Sequence, residues 1–156
     1  MSEHEIPWLN EREQQVWRRW LRVQTELPAA LGRALNQDSG LSMQDYETLV
    51  RVTEAEGGRL RVSVLADQMH WERSRLSHHL RRMEARGLIA REECAEDGRG
   101  SFVRVTDEGR AAQAAAAPGH VRSVREHFLD GISASDLEAL DRILESILRR
   151  TADPTP

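Results

Sequence analysis

The sequence predicts a mainly α fold carrying a small β-hairpin, an α+β chain. Three observations predict it. Apolar residues recur at helical spacing through most of the chain, Phe102, Arg104 and Thr106 alternate with Val103 and Val105, and Asp97-Gly98-Arg99-Gly100 is a turn signal between two strand-like runs.

Taken in order, Val16, Trp17, Trp20, Leu21, Leu27, Leu31 and Leu35 keep the helical period over Glu11 to Leu35. Pro28 lacks a backbone donor and predicts a kink or split in that helix, and Asn36 to Gly40 reads as a turn. Ser42 is a suitable N-cap for a second helix, Met43 to Ala55, with Tyr46, Leu49, Val50 and Thr53 on one stripe and Gly57-Gly58 after it. Arg59 to Val62 reads as a short strand, and Ser63 is placed to cap a helix over Val64 to Met69. The next helix starts near Glu72 and runs to Arg86, with Leu76, Leu80 and Met83 on one face and Gly87 where a C-terminal glycine belongs. Leu88 to Cys94 and Ser101 to Thr106 are the hairpin strands. Thr106 caps an alanine-rich helix, which Pro118-Gly119 should break or bend before Val121 to Leu129. Ser133 or Ser135 caps the last helix, whose Leu137, Leu140, Ile143, Leu144, Ile147 and Leu148 form an apolar stripe, and Thr151 to Pro156 is a frayed tail.

Two helices joined by a tight turn and followed by a hairpin make a winged helix-turn-helix, which assigns residues 41–106 to that unit. The helical regions 8–40 and 107–151 lie outside it. Both carry stripes that one small domain cannot cover, so they are expected to pack on each other and on a second copy as a dimerisation region.

Composition narrows the function. At 156 residues, 39% hydrophobic and 31% charged, the chain is neither disordered nor membrane-spanning in character. Glu3, His4 and Glu5 stand where a signal peptide carries basic residues, and a lone cysteine excludes an internal disulfide framework, so a cytoplasmic protein with no membrane partner is expected. The net charge is −4, and every one of the 22 basic residues is Arg. Residues 70–86 hold five Arg and two Glu, a local charge of +3, which leaves −7 for the remainder. A basic island in an acidic chain suits a local anionic partner.

On the helix Glu72 to Arg86, a turn of 100° per residue places Ser74, His78, Arg81 and Ala85 opposite the core stripe, with Ser77 on one flank and Arg75 and Arg82 on the other. A helix of this kind fits the major groove of B-form DNA. Ser74, Arg75, Ser77 and His78, nearest its N-terminus, are the base-reading candidates; Arg73, Arg81 and Arg82 are phosphate contacts. The hairpin tip sets Arg99 between two glycines, suited to a narrow minor groove, with Asp97 beside it to hold it or to pair with a neighbouring Arg.

These residues resemble the winged helix-turn-helix of the MarR family of bacterial transcription regulators. The matching stretches are Leu65-Ala66-Asp67-Gln68-Met69, Ser74-Arg75-Leu76-Ser77, the run from Leu80 to Ile89, the Asp97-x-Arg99 wing and Val105-Thr106-Asp107-Glu108-Gly109-Arg110. The resemblance implies a homodimer, joined through its first and last helices, on palindromic double-stranded promoter DNA. It implies a repressor released by a small aromatic or phenolic effector that enters between the dimer helices and the DNA-binding lobe. The chain departs from the family pattern in having Glu72 at the cap, His70 and Trp71 in the turn, and His79 at a half-buried position usually aliphatic.

Other residues admit other uses. Trp8, Trp17 and Trp20 crowd the first segment as dimer core; the alternative is that Trp17 and Trp20, with Tyr46, line the effector pocket. Glu92, Glu93 and Glu96 around Cys94 disfavour a thiolate, so no redox role is expected. His70, His78, His79 and Cys94 match no zinc spacing, so neither a metal nor a cofactor is expected, and His120 and His127 suit a surface or dimer contact. No nucleophile elbow, phosphate loop or zinc-protease motif is present, which argues against an enzyme. The expected function is a sequence-specific transcription regulator; the alternative is a winged-helix adaptor that binds proteins and no DNA.

Overall fold

The computed structural model describes residues 7–93 and 101–152. The elements run α1 (Glu11–Ser39), α2 (Met43–Glu54), a 3-10 turn (Glu56–Gly58), β1 (Arg59–Arg61), α3 (Val62–Met69), α4 (Arg73–Ala85), β2 (Ile89–Glu93), β3 (Ser101–Val105), α5 (Asp107–Val124), a π-turn (Arg125–Leu129) and α6 (Ala134–Ala152).

The predicted mainly α winged helix-turn-helix is the observed fold, with local corrections. Helix α1 starts in a capping box between Asn10 and Glu13 and is a single helix through Pro28. Proline there removes one donor only, and the carbonyl it orphans belongs to Gln24, an exposed residue that water can reach. Asn36 to Ser39 continue the helix instead of forming a turn, and Gly40 ends it at φ 71°. Helix α5 likewise passes through Pro118 unbroken, for the same reason at exposed Ala114, and gives way to the π-turn only at Arg125. Helix α3 begins two residues earlier than expected, so Ser63 lies inside it and caps nothing; Arg61 occupies the N-cap without a side-chain bond. Ser42, Thr106 and Ser133 cap α2, α5 and α6, accepting from the backbone N–H of Asp45, Gly109 and Asp136 at 3.0, 3.0 and 3.1 Å. The last helix reaches Ala152, so Thr151 belongs to it and not to a tail.

The strands form one antiparallel sheet in the order β1-β3-β2. The short β1 therefore extends the hairpin, with Arg59 opposite Arg104 and Arg61 opposite Phe102. The buried core joins α2 (Leu49, Val52), α3 (Leu65), α4 (Leu76, Leu80, Met83) and the sheet (Ile89, Val103, Val105). At roughly 1.5–3 kcal/mol per fully buried large apolar side chain, this block holds α4 rigidly on the lobe. The outer helices differ. Helix α6 buries no residue, and Trp17, Ile143 and Leu148 remain exposed.

Candidate nucleic-acid interface

Helix α4 is seated by one face and open on the other. Leu76, Leu80 and Met83 are fully buried, while Arg73, Ser74, Arg75, His78, Arg81 and Arg82 are exposed and Ser77 is half-buried on the flank. The structure thus brings together on one helix all seven candidates assigned to it. Asp97 and Arg99, with Cys94, lie outside the described residues.

Both ends of the helix-turn-helix are sealed by the same backbone device. At the end of α3, Trp71 N–H donates to the Ala66 carbonyl (3.0 Å) and His70 N–H to that of Asp67 (3.2 Å). At the end of α4, Leu88 N–H donates to Met83 (3.1 Å) and Gly87 N–H to Glu84 (2.9 Å). These are Schellman motifs, whose C′ residue is left-handed: Gly87 at φ 72° and, unusually, His70 at φ 52°.

Trp71 uses that turn to face α4. The Arg75 guanidinium lies 4.0 Å from the centre of its ring, a cation–π stack that restricts a base-reading candidate to few rotamers. The His79 and Trp71 rings meet in a T-shaped arrangement, their centres 5.3 Å apart and their planes at 76°. His79 is not half-buried, as its position in the sequence pattern suggested, but only 4% exposed. Burial holds its pKa below the ordinary imidazole value, and Arg82 and Arg75 push the same way against the Asp45 charge and the Gln44 backbone, so the ring is neutral near pH 7.

Asp45 is the second buried ionisable group. Its carboxylate accepts from the Ser42 N–H (3.0 Å) and from Nη1 of Arg86 (2.7 Å), and its other oxygen lies 3.7 Å from Nε2 of His79. Burial alone would raise its pKa; the hydrogen bonds from Ser42 and Arg86, with the Arg86 charge, outweigh that and hold it below the usual carboxylate value. Beside these groups a crevice of about 530 Å³ separates the end of α1 from α4, lined by Asn36, Gln44, Trp71, Arg75, Arg82 and Arg86 among others.

Trp17, Trp20 and Tyr46 do not share a pocket. The two tryptophans line an apolar groove of about 550 Å³ between α1 and α6, with Val16, Leu140, Ile143 and Ile147. Tyr46 is buried elsewhere, its ring 4.8 Å from that of His120. His127 lies apart, beside Phe128 and Arg33. Sequence reasoning missed Asp45, Arg86 and Trp71. Asp45 shows a capping signal three residues after Ser42, but nothing in a linear pattern couples it to an Arg 41 residues away.

Among solved structures, the chain resembles AbsC, a MarR family transcriptional regulator of Streptomyces coelicolor, with 42% identity and a TM-score of 0.86 over 94% of this chain and 98% of that one. The chain belongs to the MarR family. A family model described as MarR family matches residues 39–100. A second MarR family regulator of the same organism, Sco3205, solved in complex with DNA, is 37% identical with a TM-score of 0.89, covering 98% of this chain and 95% of its own. The transcriptional regulator HosA of Escherichia coli is 41% identical over 73 residues, 47% of this chain and 53% of HosA, so the match spans about half the length of that curated relative. Within the winged helix-turn-helix fold, α3 and α4 are the helix pair and β2 and β3 the wing strands. Among the described residues no helix is long and apolar enough to cross a membrane, and no group of three His, Cys, Asp or Glu is arranged to hold a metal ion.

Proposed function

We propose that this chain is a cytoplasmic, sequence-specific DNA-binding regulator that represses transcription as a homodimer on palindromic promoter DNA. The observation that carries the reading is the exposed face of α4, where Ser74, Arg75, His78, Arg81 and Arg82 stand on a helix whose opposite stripe is fully buried. Residues 41–106 form the DNA-binding domain, and 8–40 with 107–151 the dimerisation region. Ser74, Arg75, Ser77 and His78 read base edges; Arg73, Arg81 and Arg82 hold phosphates; the wing Arg99, steadied by Asp97, enters the minor groove. Sco3205, whose structure contains DNA, supports the choice of partner.

Release by a small aromatic or phenolic effector belongs to the same reading. The crevice between α1 and α4 is the better seat for it than a pocket of Trp17, Trp20 and Tyr46, because it is lined by Trp71 together with Arg75 and Arg82, cations suited to an aromatic anion. An effector there releases DNA only if it prefers an α4 position that DNA does not.

Fluorescence anisotropy against DNA from the chain's own upstream intergenic region tests the proposal, with unrelated DNA of equal length as control. The expected result is tight binding that weakens steeply with salt, prefers the upstream duplex and is lost in Arg81→Ala and Arg99→Ala. Genomic-fragment selection extends the search to other operators. An empty selection would instead support the adaptor reading.

A further inference from the structure

Four contacts connect the α1–α2 junction to the recognition helix. Nη2 of Arg86 donates to the Gly40 carbonyl at 3.2 Å, and its Nη1 donates to Asp45 at 2.7 Å. Asp45 simultaneously closes the α2 capping box by accepting from the Ser42 N–H. Its free oxygen faces Nε2 of His79, in the middle of α4, at 3.7 Å. The Thr48 hydroxyl lies 3.7 Å from Sδ of Met69 and 3.4 Å from Nε2 of His79, the donor of the second pair being set by the imidazole tautomer. The His79 ring in turn abuts Trp71, on which Arg75 is stacked. One carboxylate therefore holds the C-terminal end of α4 through Arg86 and faces the middle of the helix at His79.

We propose that Asp45 is the positioning residue of the recognition helix, pinning the C-terminal end of α4 to the α1–α2 junction through Arg86 while its second oxygen faces His79, and so setting the angle at which Arg75, His78 and Arg81 meet DNA. The inference rests on the DNA-binding reading for its consequence, but the pin itself is a property of α4. It makes two demands. Asp45 must carry its charge, because Arg86 is partly exposed and an uncharged partner would not hold it against water. His79 must stay neutral, because a protonated ring would be a buried cation whose lost hydration and repulsion from Arg82 and Arg75 outweigh its attraction to Asp45. The other neighbours of the ring are the Gln44 backbone and Thr48 on α2, Met69 of α3 beyond Thr48, and Trp71 in the turn, none of them charged.

The test uses the full chain in four variants: Asp45→Asn, Arg86→Ala, Arg86→Lys and His79→Gln. Anisotropy is read on the selected duplex and on unrelated DNA, and hydrogen exchange of the α4 amides is followed without DNA. Asp45→Asn and Arg86→Ala are expected to weaken specific binding about tenfold or more, to leave non-specific binding nearly unchanged, and to speed exchange across residues 76–86. Arg86→Lys should recover part of the loss. Wild-type affinity should fall only as pH drops toward the folded-state pKa of His79, which lies below the ordinary imidazole value of 6.5, and His79→Gln should flatten that fall. His78→Ala should retain it, since His78 lies on the open face. If His79→Gln fails to fold, Asp45→Asn and the Arg86 pair decide alone. Wild-type specificity and α4 exchange in Asp45→Asn, with only a lower melting temperature, would overturn the pin. Faster α4 exchange in a chain whose wild type prefers no DNA would keep the pin and end the DNA reading.

Discussion

His70 holds φ 52° and ψ 41° with a side chain on its Cα, where the equivalent place after α4 is filled by Gly87. The left-handed conformation costs an L-residue roughly 1–2 kcal/mol relative to glycine, and histidine is among the residues that tolerate it better. His70→Gly is therefore expected to stabilise the fold by about 1 kcal/mol at most, offset in part by the added freedom of the unfolded chain, as read from the urea midpoint. Gly109 works in the opposite sense. A Cβ there would collide with the Leu88 carbonyl oxygen and press on Val105 at 3.0 Å. Gly109→Ala must push the first turn of α5 off the sheet, and a loss of about 1–3 kcal/mol is expected in the same measurement. At this scale pH enters through His79. Its folded-state pKa lies below the ordinary value of 6.5, so the unfolded chain takes up the proton first. Stability is then at full strength above about pH 6.5 and declines as pH falls toward the folded-state pKa. Asp45 is a depressed acid, whose contribution is present above its ordinary 3.8 and lost below that as the folded state takes up the proton. His79→Gln should remove the first decline from a pH series of thermal unfolding curves and leave the second.

Helices α1 and α5 show how prolines are absorbed at the scale of an element. Both Pro28 and Pro118 sit on exposed faces, and the carbonyls they orphan belong to exposed residues, Gln24 and Ala114. Each helix still forgoes a hydrogen bond and carries the clash of the ring with the preceding turn. Pro28→Ala is expected to raise the unfolding free energy by about 1–3 kcal/mol with no change in element order, and a neutral or destabilising outcome would mean that the unfolded chain gains as much freedom as the helix gains in bonding. The prolines also mark the limit of sequence reasoning. A kink or split was expected at Pro28 and a break or bend at Pro118, because local rules describe what proline costs and not whether the orphaned carbonyl lies on a face that water can reach. The caps Ser42 and Thr106, the stripe Leu76/Leu80/Met83 and Gly87 were legible because each depends on residues within one turn of helix. The pairing of β1 with β3 was not, since Arg59 and Arg104 are brought together only by the fold. The candidate site divides in the same way. The exposed face of α4 follows from a 100° step, whereas its contacts with the rest of the lobe run from its own C-cap, Arg86, to Asp45 on α2 and from Arg75 to Trp71 in the preceding turn.

For the whole molecule, one chain leaves too much apolar surface uncovered. Trp17 is 51% exposed, Ile143 56% and Leu148 67%, and these lie on α1 and α6, away from the buried core. The groove between those helices is walled almost wholly by apolar side chains, with Arg12 and Glu13 at its rim. Contiguous exposed apolar area of this kind is rare on a monomer, and a second copy of the same pair of helices would cover it with a self-complementary patch. A twofold dimer also fits the DNA reading, because two recognition helices can then enter successive major grooves about one helical turn apart. Sedimentation equilibrium should give twice the 17.8 kDa of one chain. Ile143→Asp combined with Trp17→Ala should halve that mass while leaving the core of the winged helix folded, since neither residue belongs to it. Each freed lobe would keep its α4 face but lose the tethering that makes the second contact intramolecular. Specific affinity should therefore fall by about a hundredfold or more, and the slope of binding against salt should drop as half the phosphate contacts disappear. A variant that became monomeric but bound the duplex as tightly as the wild type would separate the two propositions, preserving the interface and removing dimerisation from the mechanism of recognition.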